Sequence, residues 1–337
     1  MYDLKQTIEF PGKRRLRLAV AEKNVEVQRL ALSGFRSQLT IQVRRAFYTL
    51  LVSKQILELK EQRVTLANTF VDAARKKAAA GFAPDFETTK AVVEVVAAQK
   101  ARHETQAQVM TARAALNTLL GRRPDGDLEI EVAVPSEIPV PVEARLLQQV
   151  FAQNPSLKVQ ELEVERAGLS VQSVRKSRLP DFSVGPSIEY LKDEQTYDFG
   201  ISVPLPLWDR KRGEIATANA EQQKAVAELD KLRQEISRDV ITACHNLSSA
   251  KESLALYAPE LLGKLKTTLD DAAQSYSEGR TSLLTYLEIQ RTYFDTQADY
   301  LETLQKLYET RSDLEAAVGV PLSELQNTTD SQEKRPQ

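Results

Sequence analysis

The chain of 337 residues has a single cysteine, Cys244, so no disulfide can form within it. It has two histidines, His103 and His245, and Met110 is its one internal methionine. These counts leave no histidine cluster and no methionine ladder for a soft metal. Cys244 and His245 are neighbours, but adjacent residues on a helix point about 100° apart. A structural role is therefore the expectation for both, and no metal site is assigned. No run of about 18 apolar residues exists, which excludes a transmembrane helix. The opening Met1-Tyr2-Asp3-Leu4-Lys5 lacks the apolar core and cleavage site of a signal peptide. An excess of one charge is missing too: 45 Lys+Arg stand against 47 Asp+Glu, a net charge of −2. That balance gives no polybasic footprint and argues against a nucleic-acid partner. There is no phosphate loop, nucleophilic triad or cofactor motif, so neither an enzyme nor a bound cofactor is expected. Glycine is scarce, with 12 residues, and no proline lies between Gly12 and Pro84. If wholly helical, that stretch of about 70 residues would be roughly 100 Å long.

What is present is a pattern written twice. Gly81 and Gly279 each end one apolar-periodic segment and open another; Gly121 and Gly319 each close the second segment. Both pairs are separated by 198 residues. Upstream, Tyr2-Asp3 begins an alternating segment ending at Pro11, and Tyr197-Asp198 begins one ending at Pro206. A basic cluster follows each, Lys13-Arg14-Arg15 and Arg210-Lys211-Arg212. Two copies of strand, long helix, glycine turn and helix make a tandem repeat.

Heptad rows mark the helices. Val43, Leu50, Leu57, Val64 and Val71 form one row, and Val25, Leu32, Leu39 and Ala46 a second. The later copy has Val240, Leu247, Leu254 and Leu261. Leu287, Phe294, Leu301 and Tyr308 run beside Tyr293, Tyr300, Leu307 and Leu314. Rows every seven residues predict coiled-coil packing, and two adjacent rows predict contact with helices on more than one side. An ordinary soluble helical bundle would satisfy the same periodicity. Each glycine turn makes a helical hairpin tip, with Pro84 in the first turn of the next helix and Thr281 or Ser282 as the later N-cap. Pro259 predicts a kink.

Period-two alternation marks strands. Phe182, Val184, Ile188 and Tyr190 oppose Ser183, Gly185, Ser187 and Glu189; Tyr197, Phe199, Ile201, Val203 and Leu205 oppose Asp198, Gly200, Ser202 and Pro204. Tyr2, Leu4, Ile8 and Phe10 form a third case. Segments of about ten residues with one apolar face suit a membrane β-barrel, with the polar residues 192–196 as an external loop. Three strands cannot close a barrel, so closure needs several chains. A small soluble hairpin covering the end of a bundle is the plain alternative. Residues 122–153 read as the least helical part, with a turn at Arg122-Arg123-Pro124-Asp125-Gly126 and extended chain around Pro135, Pro139 and Pro141. The polar tail beyond about Asn327 reads as disordered.

The whole set resembles the TolC-like outer-membrane efflux proteins. Across nearly the full chain, the resemblance rests on Asn154-Pro155-Ser156-Leu157, Arg178-Leu179-Pro180-Asp181-Phe182, and the strand from Tyr197 to Pro206. It continues through Leu207-Trp208-Asp209-Arg210 with Gly213, Tyr276-Ser277-Glu278-Gly279 leading to Leu283, Leu284 and Leu287, and Gly319-Val320-Pro321. Gln6 with Phe10-Pro11-Gly12-Lys13-Arg14 is similar to the heavy-metal (cobalt–zinc–cadmium) efflux branch.

The resemblance implies a mainly α fold with a small β part: a long α-helical coiled-coil barrel plus transmembrane β-barrel strands, closed only as a homotrimer. Its implied partners are a periplasmic adaptor (membrane fusion) protein, an inner-membrane efflux pump of RND type and outer-membrane lipid. The implied role is a passive export conduit; a soluble coiled-coil scaffold without a pore is the alternative. The family's signal peptide, first long helix and first strand are expected ahead of residue 1. Repeat 1 is expected over residues 1–121, with a strand at 1–11 and a hairpin over 13–121 whose tip is near 81–84. An equatorial segment at 122–153 precedes repeat 2 over 154–322. That repeat holds a helix at 156–178, strands at 181–191 and 196–206, and a hairpin over 211–319 with its tip near 279–282; residues 323–337 form the tail. Phe182, Val184, Ile188, Phe199, Ile201 and Val203 are expected to face lipid. Gly81, Phe82, Ala83 and Pro84, with Gly279, Arg280, Thr281 and Ser282, are expected to contact the adaptor. The family narrows its pore with acidic residues six and nine positions past the second glycine. Here these are Thr285 and Glu288, of which Glu288 alone is acidic; the same offsets in the first repeat give Glu87 and Lys90.

Overall fold

The computed structural model describes residues 2–81, 84–130, 143–191, 194–204 and 210–322. Its chain order is β1 (Tyr2–Asp3), β2 (Gln6–Ile8), α1 (Lys13–Ala79), α2 (Asp85–Leu119), α3 (Glu143–Gln153) and α4 (Pro155–Lys176), followed by β3 (Phe182–Leu191), β4 (Glu194–Ser202), α5 (Arg212–Ala255), α6 (Pro259–Ser277) and α7 (Leu283–Val318). Compactness divides the chain into residues 1–36 with 148–238, and residues 37–147 with 239–337. Each unit draws on both copies of the repeat, and the divisions fall inside α1, α3 and α5.

The first unit holds the sheet. β1 and β2 pair antiparallel with one edge of β3, and β4 pairs antiparallel with the other. The register sets Ile188 opposite Tyr197, Pro186 opposite Phe199 and Val184 opposite Ile201. Apolar residues thus meet apolar residues across the strands, and Ser183, Gly185 and Ser187 meet Ser202, Gly200 and Asp198 on the reverse face. One contact departs from a regular ladder. Leu4 N–H donates to the Pro186 carbonyl at 3.1 Å, but Pro186 has no N–H to return. The Leu4 carbonyl swings over Gly185 instead, 1.7 Å from where a Cβ would stand. Only glycine admits that approach.

In the second unit the α1 segment runs antiparallel to α7. Arg44 pairs with Glu315, Tyr48 stacks on Tyr308 at 4.0 Å, Arg63 lies 6.0 Å from the Phe294 ring, and Phe70 stacks on Tyr286 at 4.9 Å. Leu59, Phe70, Val71, Ala91, Leu269 and Tyr286 share one apolar cluster across α1, α2, α6 and α7. Both α7 rows supply it or its continuation: Phe294, Tyr308, Leu307 and Leu314 are buried. Of the first α1 row, Leu50 and Val71 are buried and Val43, Leu57 and Val64 half-buried, whereas Val25 and Leu32 are exposed within one chain.

Four expectations are corrected. Residues 143–153 form helix α3, because Leu146 and Val150 stand one turn apart and bury together. Pro259 does not kink a helix but starts α6 after a break. Ala258 ahead of it is extended (φ −58°, ψ 139°), since a residue preceding proline is pushed out of the helical region. Glu194 and Gln195 belong to β4, paired to Leu191 and Tyr190, instead of to a loop, so the strand starts two residues ahead of the expected Thr196. Pro84 sits one position ahead of α2 with extended backbone, not inside its first turn. The predicted tail and the prolines 135, 139 and 141 lie outside the described residues.

Candidate functional site

Two regions carry the candidate residues. On the sheet, Tyr197, Phe199 and Ile201 are each about 70% exposed, at 72%, 71% and 69%, and Val203 is exposed beside them. Phe182, Val184 and Ile188 stand on the same face and are half-buried. Three large side chains in a row with no protein cover form an apolar patch of the kind that marks a lipid or protein contact.

The second region is the two hairpin turns. Gly81 and Gly279 take φ +73° and +75°, the left-handed conformation that ends a helix. After the second, Arg280 N–H reaches back to the Ser275 carbonyl at 2.8 Å and Gly279 N–H to Tyr276 at 3.1 Å. Ser282 Oγ then accepts from Thr285 N–H at 3.2 Å and caps α7. Thr281 is half-buried and Pro84 exposed; Phe82 and Ala83 lie outside the described residues. Arg280 is exposed and pairs with Glu278. A hydrogen bond from Gln274, helped by Arg280, holds the Glu278 carboxyl below the usual range.

Past the turn, Leu283, Tyr286 and Gln290 face inward and are buried. Thr285 and Glu288 share the opposite, exposed face with Leu284. The two are brought together on one side of α7, three residues apart. The first-repeat counterparts differ. Glu87 accepts from Tyr276 Oη at 3.5 Å, and Lys90 lies 5.5 Å from the Phe86 ring. Sequence reasoning missed the network around Tyr276: Lys77 Nζ reaches the Tyr276 carbonyl and lies 3.8 Å from its ring, and Phe70 packs on the ring at 4.9 Å. Tyr276 stood in the turn motif, and Glu87 at the matched offset, but their contact requires the three-dimensional pairing of α2 with α6.

Cys244 and His245 are not brought together, since Cys244 is buried and His245 exposed. Burial, and then the charge of Glu143, pushes the Cys244 thiol up. Among the described residues no group of three or more His, Cys, Asp or Glu is arranged to hold a metal ion, and no helix is long and apolar enough to cross a membrane.

A sheet with one bare apolar face and long paired helices with glycine tips also describes known proteins. The chain is 27% identical over 320 residues to the cobalt-zinc-cadmium resistance protein CzcC of Cupriavidus metallidurans, covering 93% of this chain and 75% of that one. The nickel-cobalt-cadmium resistance protein NccC of Alcaligenes xylosoxydans is 25% identical, over 69% of this chain and 53% of its own. Among solved structures, that of CusC superposes with a TM-score of 0.77 at 18% identity, covering 94% of this chain and 76% of that one, and so shares the fold. A sequence model of the family described as outer membrane efflux protein matches residues 1–122 and 146–320. The chain belongs to the outer membrane efflux protein family and is a channel component of outer-membrane efflux.

Proposed function

We propose that the chain is the outer-membrane part of a tripartite system that exports metal cations. Three copies, each giving strands to a common barrel, close one channel, and the helical hairpins continue it into the periplasm. The carrying observation is the sheet: its apolar face is bare, its register is regular, and no described helix offers another way into a membrane. Phe182, Val184, Ile188, Phe199, Ile201 and Val203 face lipid. The tips at residues 81–84 and 279–282 meet a periplasmic adaptor, which links to an inner-membrane pump of RND type. Conduction through the channel is passive, and the pump supplies the energy. The metal assignment rests on two relatives named for resistance to cobalt, zinc, nickel and cadmium.

Glu288 is the proposed constriction residue. It is exposed on α7 just past the tip, and three copies around an axis make an anionic ring that favours cations. The test is single-channel conductance of the purified protein in a planar bilayer, with cobalt or zinc added. Discrete steps, with block by divalent cations that Glu288→Gln relieves, support both the channel and the ring. Steps identical in mutant and wild type remove Glu288 while leaving the channel. A protein that stays monodisperse in plain buffer and never conducts is the poreless scaffold.

A further inference from the structure

The start of α1 is electrostatically wrong when taken alone. Its first turn is Lys13-Arg14-Arg15, with no acidic residue. A helix N-terminus carries partial positive charge and exposes unpaired N–H groups, so three cations there oppose helix formation. The chain ahead is a tight turn. Lys13 N–H donates to the Phe10 carbonyl at 3.1 Å, with Pro11 and Gly12 between them and Gly12 at φ +91°. That is the type II pattern, which favours proline and then glycine.

The missing negative charge arrives from 168 residues away. One carboxylate oxygen of Asp181 accepts from Lys13 Nζ at 2.7 Å and from Phe10 N–H at 2.8 Å. The lysine side chain is 16% exposed and the aspartate 34%, so the pair is partly withdrawn from water. Lys176, at the end of α4, reaches over the same turn to the Pro11 carbonyl at 3.4 Å. A Cβ on Gly12 would stand 2.3 Å from that ammonium. The turn entering α1 and the turn entering β3 are therefore one junction, clasped from both sides.

We propose that Asp181 is the positioning residue of this junction: from a distant part of the same chain it supplies a counter-charge to the first residue of α1 and pins the turn ahead of it through Phe10 N–H, and so makes the start of α1 conditional on the arrival of β3. An isolated Lys13-Arg14-Arg15 start frays, and the docked one does not. The clamp is independent of what the channel carries.

The test is amide exchange of the full chain in detergent, read by mass spectrometry on the peptide spanning Phe10 and Leu16. Asp181→Ala removes both acceptor and charge, and exchange there is expected to rise about tenfold. Asp181→Asn keeps an oxygen for Phe10 N–H but loses the charge, and Lys13→Met removes the same ion pair from the other side. Each single change is expected to speed exchange at the first turn by a smaller factor. The double variant is expected to be no faster than either single one, and Lys13→Arg to match wild type. Wild-type exchange in Asp181→Ala, or single effects that simply add in the double variant, overturns the proposal. If Asp181→Ala exchanges fast throughout the chain because it does not fold, Asp181→Asn decides. A rise confined to the junction supports the clamp, and no rise overturns it.

Discussion

Two tyrosines show how strongly single residues hold the helix pair. Tyr48 and Tyr308 lie almost parallel, 4.0 Å apart. Burial, with Tyr48 beside it, pushes the Tyr308 hydroxyl up to about 12, and burial does the same for Tyr286. An unfolded tyrosine ionises near roughly 10. A group whose folded value is raised gives stability that is complete below the unfolded value and is lost as pH climbs through the folded one. Helicity is therefore expected to hold to about pH 10 and to fall between about 10 and 12, together with a late phenolate absorbance step. Tyr308→Phe should remove part of that step. Glu315 makes a second case. It is fully buried, 2.6 Å from Arg44 and 3.6 Å from Arg311, and its carboxylate accepts from Leu322 N–H at 3.3 Å. Glu315→Gln strands two cations and should cost about 2–3 kcal/mol in urea unfolding.

At the scale of elements, the glycines divide by cause. A Cβ on Gly279 would touch nothing within 4 Å, so Gly279→Ala carries only the backbone cost of φ +75°, about 1 kcal/mol. A small drop in the unfolding midpoint, with α7 still capped by Ser282, is the expected outcome. Most of this level was legible in the sequence. Seven-residue rows gave the helices, two-residue alternation gave β3 and β4, and the glycines gave the tips. What was not legible depended on distant partners or on a proline's reach backward. Residues 143–153 read as part of the least helical stretch because three prolines precede them, although Leu146 and Val150 already spaced a helix. Pro259 read as a kink because its effect on Ala258 is backbone geometry, not pattern. Nothing in Phe10, Lys13 or Asp181 announced their meeting across 168 residues.

For the whole molecule, the decisive question is what covers the apolar face of the sheet. If it is lipid, a charge at mid-strand costs about 2–4 kcal/mol, because hydrocarbon cannot solvate it. Ile201→Arg is expected to reduce the protein recovered from the outer membrane severalfold, while Ser202→Arg on the reverse face leaves yield near wild type. Equal yields for both would assign the face to protein contact instead. The repeat was readable as text, but the compact units were not. Each draws from both copies, because compactness follows contacts between segments far apart in the chain.

The displaced carbonyl of Leu4 bears on the same question without any appeal to side-chain hydropathy. It points to the side of the sheet where Gly185 would carry a Cβ, which is the side of Ser183 and Ser187. Pro186 leaves it without a ladder partner. In hydrocarbon a bare peptide oxygen costs several kcal/mol; in water it costs almost nothing. If the apolar face meets lipid, this oxygen lies on the side turned to water. The requirement comes from one missing proton and not from the alternating side chains, so a substitution that reversed the side-chain pattern would still leave this oxygen calling for solvent on its original side.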